Sequence, residues 1–399
     1  MKVSVVTAYT PTPENRKGIS GLIYSILNAR PKDVEIKIYS YNFNGLSSSE
    51  VAEMAKALST EIVVMQKPKW ARMFKNVWMT RFNKFCMKLP LECYMMPDKQ
   101  LIEKLRADAS DFVWIYPYFF YRLAKAMPEQ QFVVSGCDCE ALIRARAFQS
   151  KVFLSDEKKL RHNYLMLKKG LRFESEWNQP NLRVHFVGME DFKFYKKVYG
   201  YHNAHFLLHP YYSVHEKVID FDKKKLKVIL AGSYDLYTKE DVDQMIPDFI
   251  KYKDQLAEHF EFTFLGKHWQ HVQQTLDYAG FHCEFKTWVE DYAAELNQND
   301  IQLTPISYGT GTKGKVLSAL ANGLLVVGSP YAFENICVRH KDSCLCYQNA
   351  HEIVPLLLSV ANNKSFYQQV AEKGRAQVLI YHNPERISKR FFAIYGNEK

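Results

Sequence analysis

Short apolar runs alternate with segments of helical periodicity along nearly the whole chain. In the first half, residues 3–7, 34–39, 62–65, 112–116, 132–135, 183–187 and 205–208 read as strands, and 21–28 and 50–58 carry apolar residues at helical spacing. Strands that are apolar almost throughout are buried on both faces. Their alternation with helices predicts a parallel sheet covered on both sides. The pattern restarts after a charged stretch at 218–225. Residues 226–231 form a new first strand ending in Gly232-Ser233. A helix over 239–259, a strand at 262–265, a helix over 269–278 and strands at 283–285 and 300–304 follow. The Gly- and Thr-rich stretch 308–315 then leads into a helix to about Asn322 and a strand at 324–327. Pro384, at a helix N1 position ahead of Ile387, Phe391 and Phe392, predicts a last helix over 384–399 that packs back across the domain junction. The expected fold class is α/β, with two doubly wound domains at 1–217 and 218–383. Open α/β sheets bind ligands beyond the carboxyl ends of their strands. Two such domains facing each other would suit a two-substrate reaction, with closure excluding water.

Composition adds exclusions. Hydrophobic residues make up 47% and charged residues 24%, ordinary for a folded protein. No apolar run approaches the ~20 residues of a membrane-spanning helix. The apolar stretch after Lys2 is too short for a signal peptide, so a cytoplasmic location is expected. Cys137/Cys139 and Cys344/Cys346 are CxC pairs without the paired CxxC spacing of structural zinc sites. Reduced core thiols and no metal site are the expectation.

The net charge of +10 is unevenly spread. Lys67, Lys69, Arg72, Lys75, Arg81, Lys84 and Lys88 follow one another with no acid between them. A basic surface fits nucleic acid, anionic lipid or phosphorylated small molecules. Trp70, Phe74, Trp78, Phe82, Phe85 and Tyr94 interleave with these cations. From Trp70 to Trp78 the spacing is helical. Beyond Thr80 the separation fails, because Arg81 and Lys88 fall on the apolar face, so two short helices or a helix and a loop are expected. Lys69, Trp70, Arg72, Phe74, Lys75 and Trp78 have the chemistry of a contact with an anionic membrane surface. A basic helix capping the sheet, its aromatics in the core, accounts for them equally. No RNA-binding module accompanies the stretch, so nucleic acid is not an expected partner.

The informative segment is Gly309-Thr310-Gly311-Thr312-Lys313-Gly314-Lys315-Val316-Leu317-Ser318, which follows a strand and opens a helix. Gly309, Gly311 and Gly314 allow close backbone approach to a ligand, and Thr312 is the expected N-cap. Free N–H groups at the helix start, with Lys313 and Lys315, make an anion site suited to a diphosphate. The ordinary alternative is a Gly/Thr loop capping a helix beside two solvated lysines. Gly309-x4-Gly314-Lys315 also matches most of a nucleoside-triphosphatase phosphate loop. There the next residue is Ser or Thr to hold Mg²⁺, and here it is Val316. Neither first strand is followed by GxGxxG, which argues against a dinucleotide-binding dehydrogenase.

At this segment the chain resembles the retaining family 4 of GT-B glycosyltransferases, the bacterial glycosyl transferases group 1. The resemblance continues through Ala319-Leu-Ala-Asn-Gly-Leu-Leu-Val-Val-Gly-Ser-Pro-Tyr-Ala-Phe-Glu334-Asn-Ile336. Leu208-His209-Pro210, Leu230-Ala-Gly-Ser233 and Phe264-Leu-Gly266 resemble the family's layout. Residues 13–21, with Gly18-Ile-Ser-Gly21, resemble the loop that faces the donor diphosphate. The resemblance implies a GT-B fold of two facing Rossmann-like domains, with the nucleotide-sugar on the second. It implies donor contacts from Gly18, Gly232, Ser233, Thr310, Gly311, Thr312, Lys313, Lys315, Ser318 and Glu334. The family carries two Glu residues with seven residues between them, one on the sugar and one on the ribose. Thr310 and Ser318 stand there in this chain, and Ser accepts fewer hydrogen bonds than a carboxylate. Glu334 falls where the family often has Glu beside the phosphate loop. It serves equally as an N-cap or first-turn acid of a following helix.

In the first domain, Asp138, Glu190 and Asp191 follow strands, where carboxylates commonly cap helices. His185 lies in an apolar strand and reads as a core histidine. No general base is assigned. The expected activity is sugar transfer from a nucleoside-diphosphate donor to a hydroxyl acceptor with retention, needing no cofactor and no obligatory metal. The acceptor expected by analogy is a glycan or lipid-linked saccharide in bacterial surface polysaccharide biosynthesis, which suits a cytoplasmic protein peripheral to the inner face of the plasma membrane. The alternative is a non-catalytic GT-B-like glycan-binding or scaffold protein.

Overall fold

The computed structural model describes residues 1–13, 19–66, 82, 86–90, 99–136 and 138–396. The chain forms two compact units. One comprises Met1–Phe148, Glu157–Tyr212 and Pro384–Lys399, and the other Gln149–Asp156 and Ser213–Asn383.

The described elements of the first 212 residues run β1 (Lys2–Thr7), α1 (Gly21–Asn28), β2 (Glu35–Ser40), α2 (Ser48–Ala57), β3 (Glu61–Val64), α3 (Lys99–Asp108), β4 (Phe112–Tyr116), α4 (Leu123–Ala126), β5 (Phe132–Ser135), α5 (Glu140–Ala147), α6 (Lys151–Leu154), α7 (Glu157–Ser175), β6 (Leu182–Phe186), α8 (Met189–Tyr199) and β7 (Ala204–Phe206). Of these, α6 belongs to the second unit. The seven strands form one sheet in the order β3-β2-β1-β4-β5-β6-β7. Every pairing is parallel, with Val5 opposite Ile38 on one side and Trp114 on the other. The central strands β1 and β4 are buried almost throughout, and the edge strand β3 is not. Apolar clusters cover both faces, as continuous apolar strands require.

The second unit continues with β8 (Leu226–Ala231), α9 (Lys239–Lys251), α10 (Lys253–His259), β9 (Phe260–Leu265), α11 (Gln270–Tyr278), β10 (Cys283–Lys286), α12 (Tyr292–Asn297), β11 (Ile301–Thr304), α13 (Gly314–Ala321), β12 (Leu325–Gly328), α14 (Pro330–Phe333), β13 (Leu345–Cys346), α15 (Ile353–Asn362) and α16 (Lys364–Tyr381). Its parallel sheet has the order β10-β9-β8-β11-β12-β13. In each sheet the strand order reverses beside the first strand, at β1/β4 and at β8/β11. That is the topological switch point where ligands of such folds bind. The single helix expected over 239–259 is two, because Tyr252 leaves helical geometry (φ −103°, ψ 21°). The strand β13 escaped the sequence reading, its two residues being too short to show alternation.

The last helix, α17 (Pro384–Gly396), begins at Pro384 as its sequence predicts. It is part of the first unit. Phe391, Phe392 and Tyr395 are buried with Trp114, Val5 and Ile26. The Phe391 and Trp114 rings lie 4.4 Å apart, and the Ser388 hydroxyl donates to the Ile26 carbonyl at 2.7 Å. The sheet therefore takes part of one covering layer from α17, beside Leu22, Ile23, Ile26 and Leu27 of α1. Phe391→Ala is expected to cost about 3–5 kcal/mol of first-unit stability, the range for truncating a buried aromatic. Urea denaturation measures it, and a loss below about 1 kcal/mol would show that α17 contributes little to that core.

Candidate functional site

The Gly-rich loop stands on a packed base at the carboxyl end of β11. Ser307 N–H donates to the Tyr237 carbonyl at 2.7 Å. The Ser307 hydroxyl accepts from Asp241 N–H at 3.0 Å. Tyr308 is buried, its ring 4.9 Å from Tyr237 and 5.6 Å from Phe153. From β12, the Ser329 hydroxyl donates to the Ile306 carbonyl at 2.5 Å. Gly311 then takes a left-handed conformation (φ 70°) that a side chain resists, and the Lys313 ammonium curls back onto the Thr310 and Gly311 carbonyls.

The helix cap differs from expectation. Lys313, not Thr312, is the N-cap of α13 (φ −79°, ψ 94°), and no side chain caps the helix. The Lys313 side chain carries no oxygen to accept from the first turn. The first intrahelical bond runs from Leu317 N–H to the Lys313 carbonyl. The N–H groups of Gly314, Lys315 and Val316 therefore precede the ladder at the positive end of the helix. Lys315 stays in reach of solvent, yet protein crowds its ammonium, and desolvation lowers its pKa below the ordinary lysine value. The ammonium lies 5.3 Å from the centre of the Tyr292 ring. Thr310 is only 7% exposed, and its hydroxyl has no hydrogen-bond partner. A helix start, two lysines and an orphaned hydroxyl together suit an anion with several acceptor oxygens.

The other candidates lie near this loop or elsewhere. Ser318, one turn along α13, is 6% exposed, and its carbonyl accepts from the Asn322 backbone and side chain. Gly232 and Ser233 follow β8, the sheet neighbour of β11. A Cβ on Gly266 (φ 130°) would stand 1.7 Å from the Gly232 carbonyl, so the two strand ends meet only because Gly266 has no side chain. The Gly232 carbonyl also accepts from the Trp269 indole at 3.0 Å. Glu334 is the C-cap of α14, not a first-turn acid. Ser329 caps that helix and Pro330 opens it, so it has ended by Glu334. The candidates at the ends of β8, β11 and β12 thus fall on one edge of one sheet. Gly18, Lys69, Trp70, Arg72, Phe74, Lys75 and Trp78 lie outside the described residues. The sequence reading missed Tyr292, Tyr237 and Phe153, whose roles come from contacts that no spacing reveals. It also missed Lys239, whose ammonium lies 2.8 Å from both the Tyr234 hydroxyl and the Asp243 carboxylate.

In the first unit the carboxylates serve the fold. Buried Asp191 accepts from Cys139 N–H, at the N-cap of α5, at 2.8 Å. Glu174, on α7 and fully buried, accepts from Ala141 N–H at 3.1 Å and the Tyr199 hydroxyl at 2.9 Å. Burial raises its pKa to about 8. Glu190 pairs with Lys193, and Asp138 is exposed. His185 is buried, its Nδ1 2.9 Å from the Ser135 hydroxyl, and burial lowers its pKa to about 3, so it is neutral. Among the described residues no group of three or more His, Cys, Asp or Glu is placed to hold a metal ion. The six described cysteines are free thiols.

Residues 225–363 match the family of glycosyl transferases group 1. The whole chain resembles solved structures of GT-B proteins. Anabaena Alr3699/HepE in complex with UDP superposes with a TM-score of 0.65 at 9% identity, covering 100% of both chains. Sucrose-phosphate synthase from Thermosynechococcus elongatus gives 0.63 at 11%, covering 99% of this chain and 98% of that one. WaaG, a glycosyltransferase involved in lipopolysaccharide biosynthesis, gives 0.61 at 12%, covering 96% and 98%. No curated protein matches by sequence. The fold is GT-B, and the match to glycosyl transferases group 1 falls within the second unit.

The buried carboxyl of Glu174 makes a pH-dependent contribution. Folded, it keeps its proton up to about pH 8, against an ordinary value of 4.5. Between those values the folded state binds more protons than the unfolded state. Its contribution is full below the ordinary value and is lost as pH rises through about 8. Glu174→Gln retains an acceptor for Ala141 N–H and removes the titration. The wild-type urea midpoint should fall relative to the variant's between pH 5 and 8, and parallel profiles would show that Glu174 is ionised in the folded protein.

Proposed function

We propose that the protein transfers a sugar from a nucleoside-diphosphate donor to a hydroxyl acceptor with retention at the anomeric carbon, in the assembly of a bacterial surface glycan. The observation that carries this reading is the anion-suited start of α13, with Lys315 desolvated and the Thr310 hydroxyl orphaned, inside the segment that matches group 1 glycosyl transferases. Structural neighbours are complexes with UDP, UDP-glucose and UDP-2-fluoro glucose, which supports a nucleotide-sugar as the donor class.

In this reading residues 218–383 hold the donor. The free N–H groups of α13 and the ammonium groups of Lys313 and Lys315 bear on the diphosphate. Thr310 Oγ1 offers a hydrogen bond to the donor, and Gly311 and Thr312 shape the loop. Gly232, Ser233, Ser318 and Glu334 belong to the same donor site, the family resemblance adds Gly18, and residues 1–217 take the acceptor. As the bond from the anomeric carbon to the phosphate oxygen breaks, charge grows on the leaving diphosphate. Fixed dipoles and cations stabilise it there without a metal. The acceptor oxygen bonds to the anomeric carbon, and its proton passes to the departing phosphate. The acceptor is a glycan or lipid-linked saccharide. The stretch from Lys67 to Lys88 supports a protein held at an anionic membrane from the cytoplasmic side.

One observation favours a second reading. Ser318 is small and buried where the resembling family has a ribose-binding carboxylate. A non-catalytic GT-B protein would bind nucleotide or glycan without turnover, and release of nucleoside diphosphate from a donor separates the two. For the donor site itself, Lys315→Ala is expected to weaken nucleoside-diphosphate binding by about 1.5–3 kcal/mol in calorimetry, the cost of a charge-assisted phosphate contact. Lys313→Ala should cost less, because its ammonium is already engaged with loop carbonyls. Wild-type binding should survive EDTA. Unchanged affinity in the folded double variant would remove the assignment, and an absolute Mg²⁺ requirement with ATP turnover would favour a nucleoside triphosphatase.

A further inference from the structure

Lysines at the carboxyl edge of the second sheet differ in how their charge is used. The Lys313 ammonium is held by the Thr310 and Gly311 carbonyls. Lys239 lies 2.8 Å from the Asp243 carboxylate, and Lys286 lies 2.8 Å from that of Glu295. Among the described residues the Lys315 ammonium has neither a hydrogen bond nor an ion pair, although protein crowds it. It faces the Tyr292 ring instead, 5.3 Å from the centre, within the range of a cation–π contact. That ring is held in place from two sides. Tyr292 opens α12 directly behind the N-cap Asp291, whose carboxylate accepts from Ala294 N–H at 2.9 Å. The Tyr292 hydroxyl donates to Gln302 Oε1 at 3.4 Å, and the Gln302 amide donates to the Thr304 hydroxyl at 2.9 Å. Gln302 and Thr304 belong to β11, the strand that leads into the Gly-rich loop. Two acids close by in sequence are engaged elsewhere, Asp291 as the helix cap and Glu295 on Lys286.

We propose that Tyr292 is a positioning residue of the donor site, its ring holding the Lys315 ammonium beside the start of α13 without neutralising it. This role rests on the reading of that helix start as a diphosphate site. A lysine on a flexible stem loses conformational entropy when an anion fixes it. A neighbour that already orders the stem reduces this cost, which is the advantage of preorganisation. A carboxylate would order it too, but would cancel the charge and occupy N–H donors that the diphosphate needs. The face of an aromatic ring attracts the cation through its quadrupole and leaves the net charge intact. N–H bonds that point away from the ring stay available to phosphate oxygens. Lys313, bound to carbonyls of its own loop, shapes that loop, and Lys315 is the cation kept ready for the ligand.

The test is a double-mutant cycle read by calorimetry on the full chain. UDP, ADP, GDP, CDP and dTDP are titrated first, and the tightest serves as the probe. Tyr292→Leu should weaken it about twofold to fivefold. Tyr292→Phe keeps the ring and should stay within about twofold of wild type. In the Lys315→Ala background, Tyr292→Leu should produce no further loss, because the two residues act as one unit. Fluorinated phenylalanines at position 292 weaken the negative ring face while keeping its shape, so affinity should fall as fluorines are added. A ring that only fills space is indifferent to that series. Equal losses from Tyr292→Leu with and without Lys315 would overturn the role, as would a loss in Tyr292→Phe as large as in Tyr292→Leu. Affinity that rises with fluorination would show that the ring withholds the lysine from the ligand, and would overturn it too. Unchanged affinity in Lys315→Ala, or binding of none of the five diphosphates, would remove the donor site and this role together. A loss in Lys315→Ala without coupling to Tyr292 would remove the role alone.

Discussion

A short helix whose first turn has no side-chain cap governs the second unit. The N–H groups of Gly314, Lys315 and Val316 cannot bond within α13, and the N-cap Lys313 brings positive charge where Ser, Thr or Asp would supply an acceptor. Left alone this end costs stability, since donors and cations are gathered in one place. Desolvation adds to it at Lys315, whose pKa is lowered by burial. An anion reverses the sign of each contribution. The same groups that oppose one another in its absence then donate to it together, so a ligand with several acceptor oxygens gains from all of them.

Such an arrangement acts only if the helix cannot swing away, and α13 is anchored at both ends. Ahead of it, Phe153, Tyr237 and Tyr308 pack together under the loop. Behind it, the Asn322 side chain donates to the Ser213 carbonyl at 3.1 Å and accepts from His215 N–H at 2.9 Å. Arg375 on α16 holds the Lys217 and His215 carbonyls. Residues 213–217 are thereby tied to the far end of the helix whose near end is the candidate anion site. Among these anchors Phe153, Tyr308 and Asn322 are buried, so each end of the eight-residue helix is held by at least one buried side chain.

What the sequence made legible follows from how many residues carry each signal. Strands such as Phe112–Tyr116 and Leu226–Ala231 are apolar over four or more residues, and they emerged with their bounds nearly intact. The strand Leu345–Cys346 has two residues and gave no pattern. The break at Tyr252 was hidden because apolar residues on both sides keep helical spacing, and only the backbone shows the turn. At the site, the cluster of Gly, Thr and Lys was visible because it is continuous in sequence. The Lys313 cap was not, since propensity favours Thr312 and the backbone turns one residue later. Glu174 was invisible for a deeper reason. It sits on a basic helix, and its burial depends on Ala141 and Tyr199, distant in sequence.

The fate of the first unit's acids bears on the chemistry. Asp191 is spent on Cys139 N–H, Glu174 on Ala141 N–H and Tyr199, and Glu190 on Lys193. His185 is neutral, fully buried and beside Ser135. A base must reach the proton it takes and must change its protonation at moderate cost. Asp191 and Glu174 would give up bonds that hold helix starts, and His185 would have to charge in an apolar core. Transfer with retention avoids that demand, because the departing phosphate can take the acceptor's proton on the face where the acceptor enters. The concentration of positive potential at α13 and the structural use of these first-unit groups then belong to one design. Under the proposed function, the second unit would supply the field for the leaving group, and the first would shape the acceptor's surroundings without supplying a titrating base.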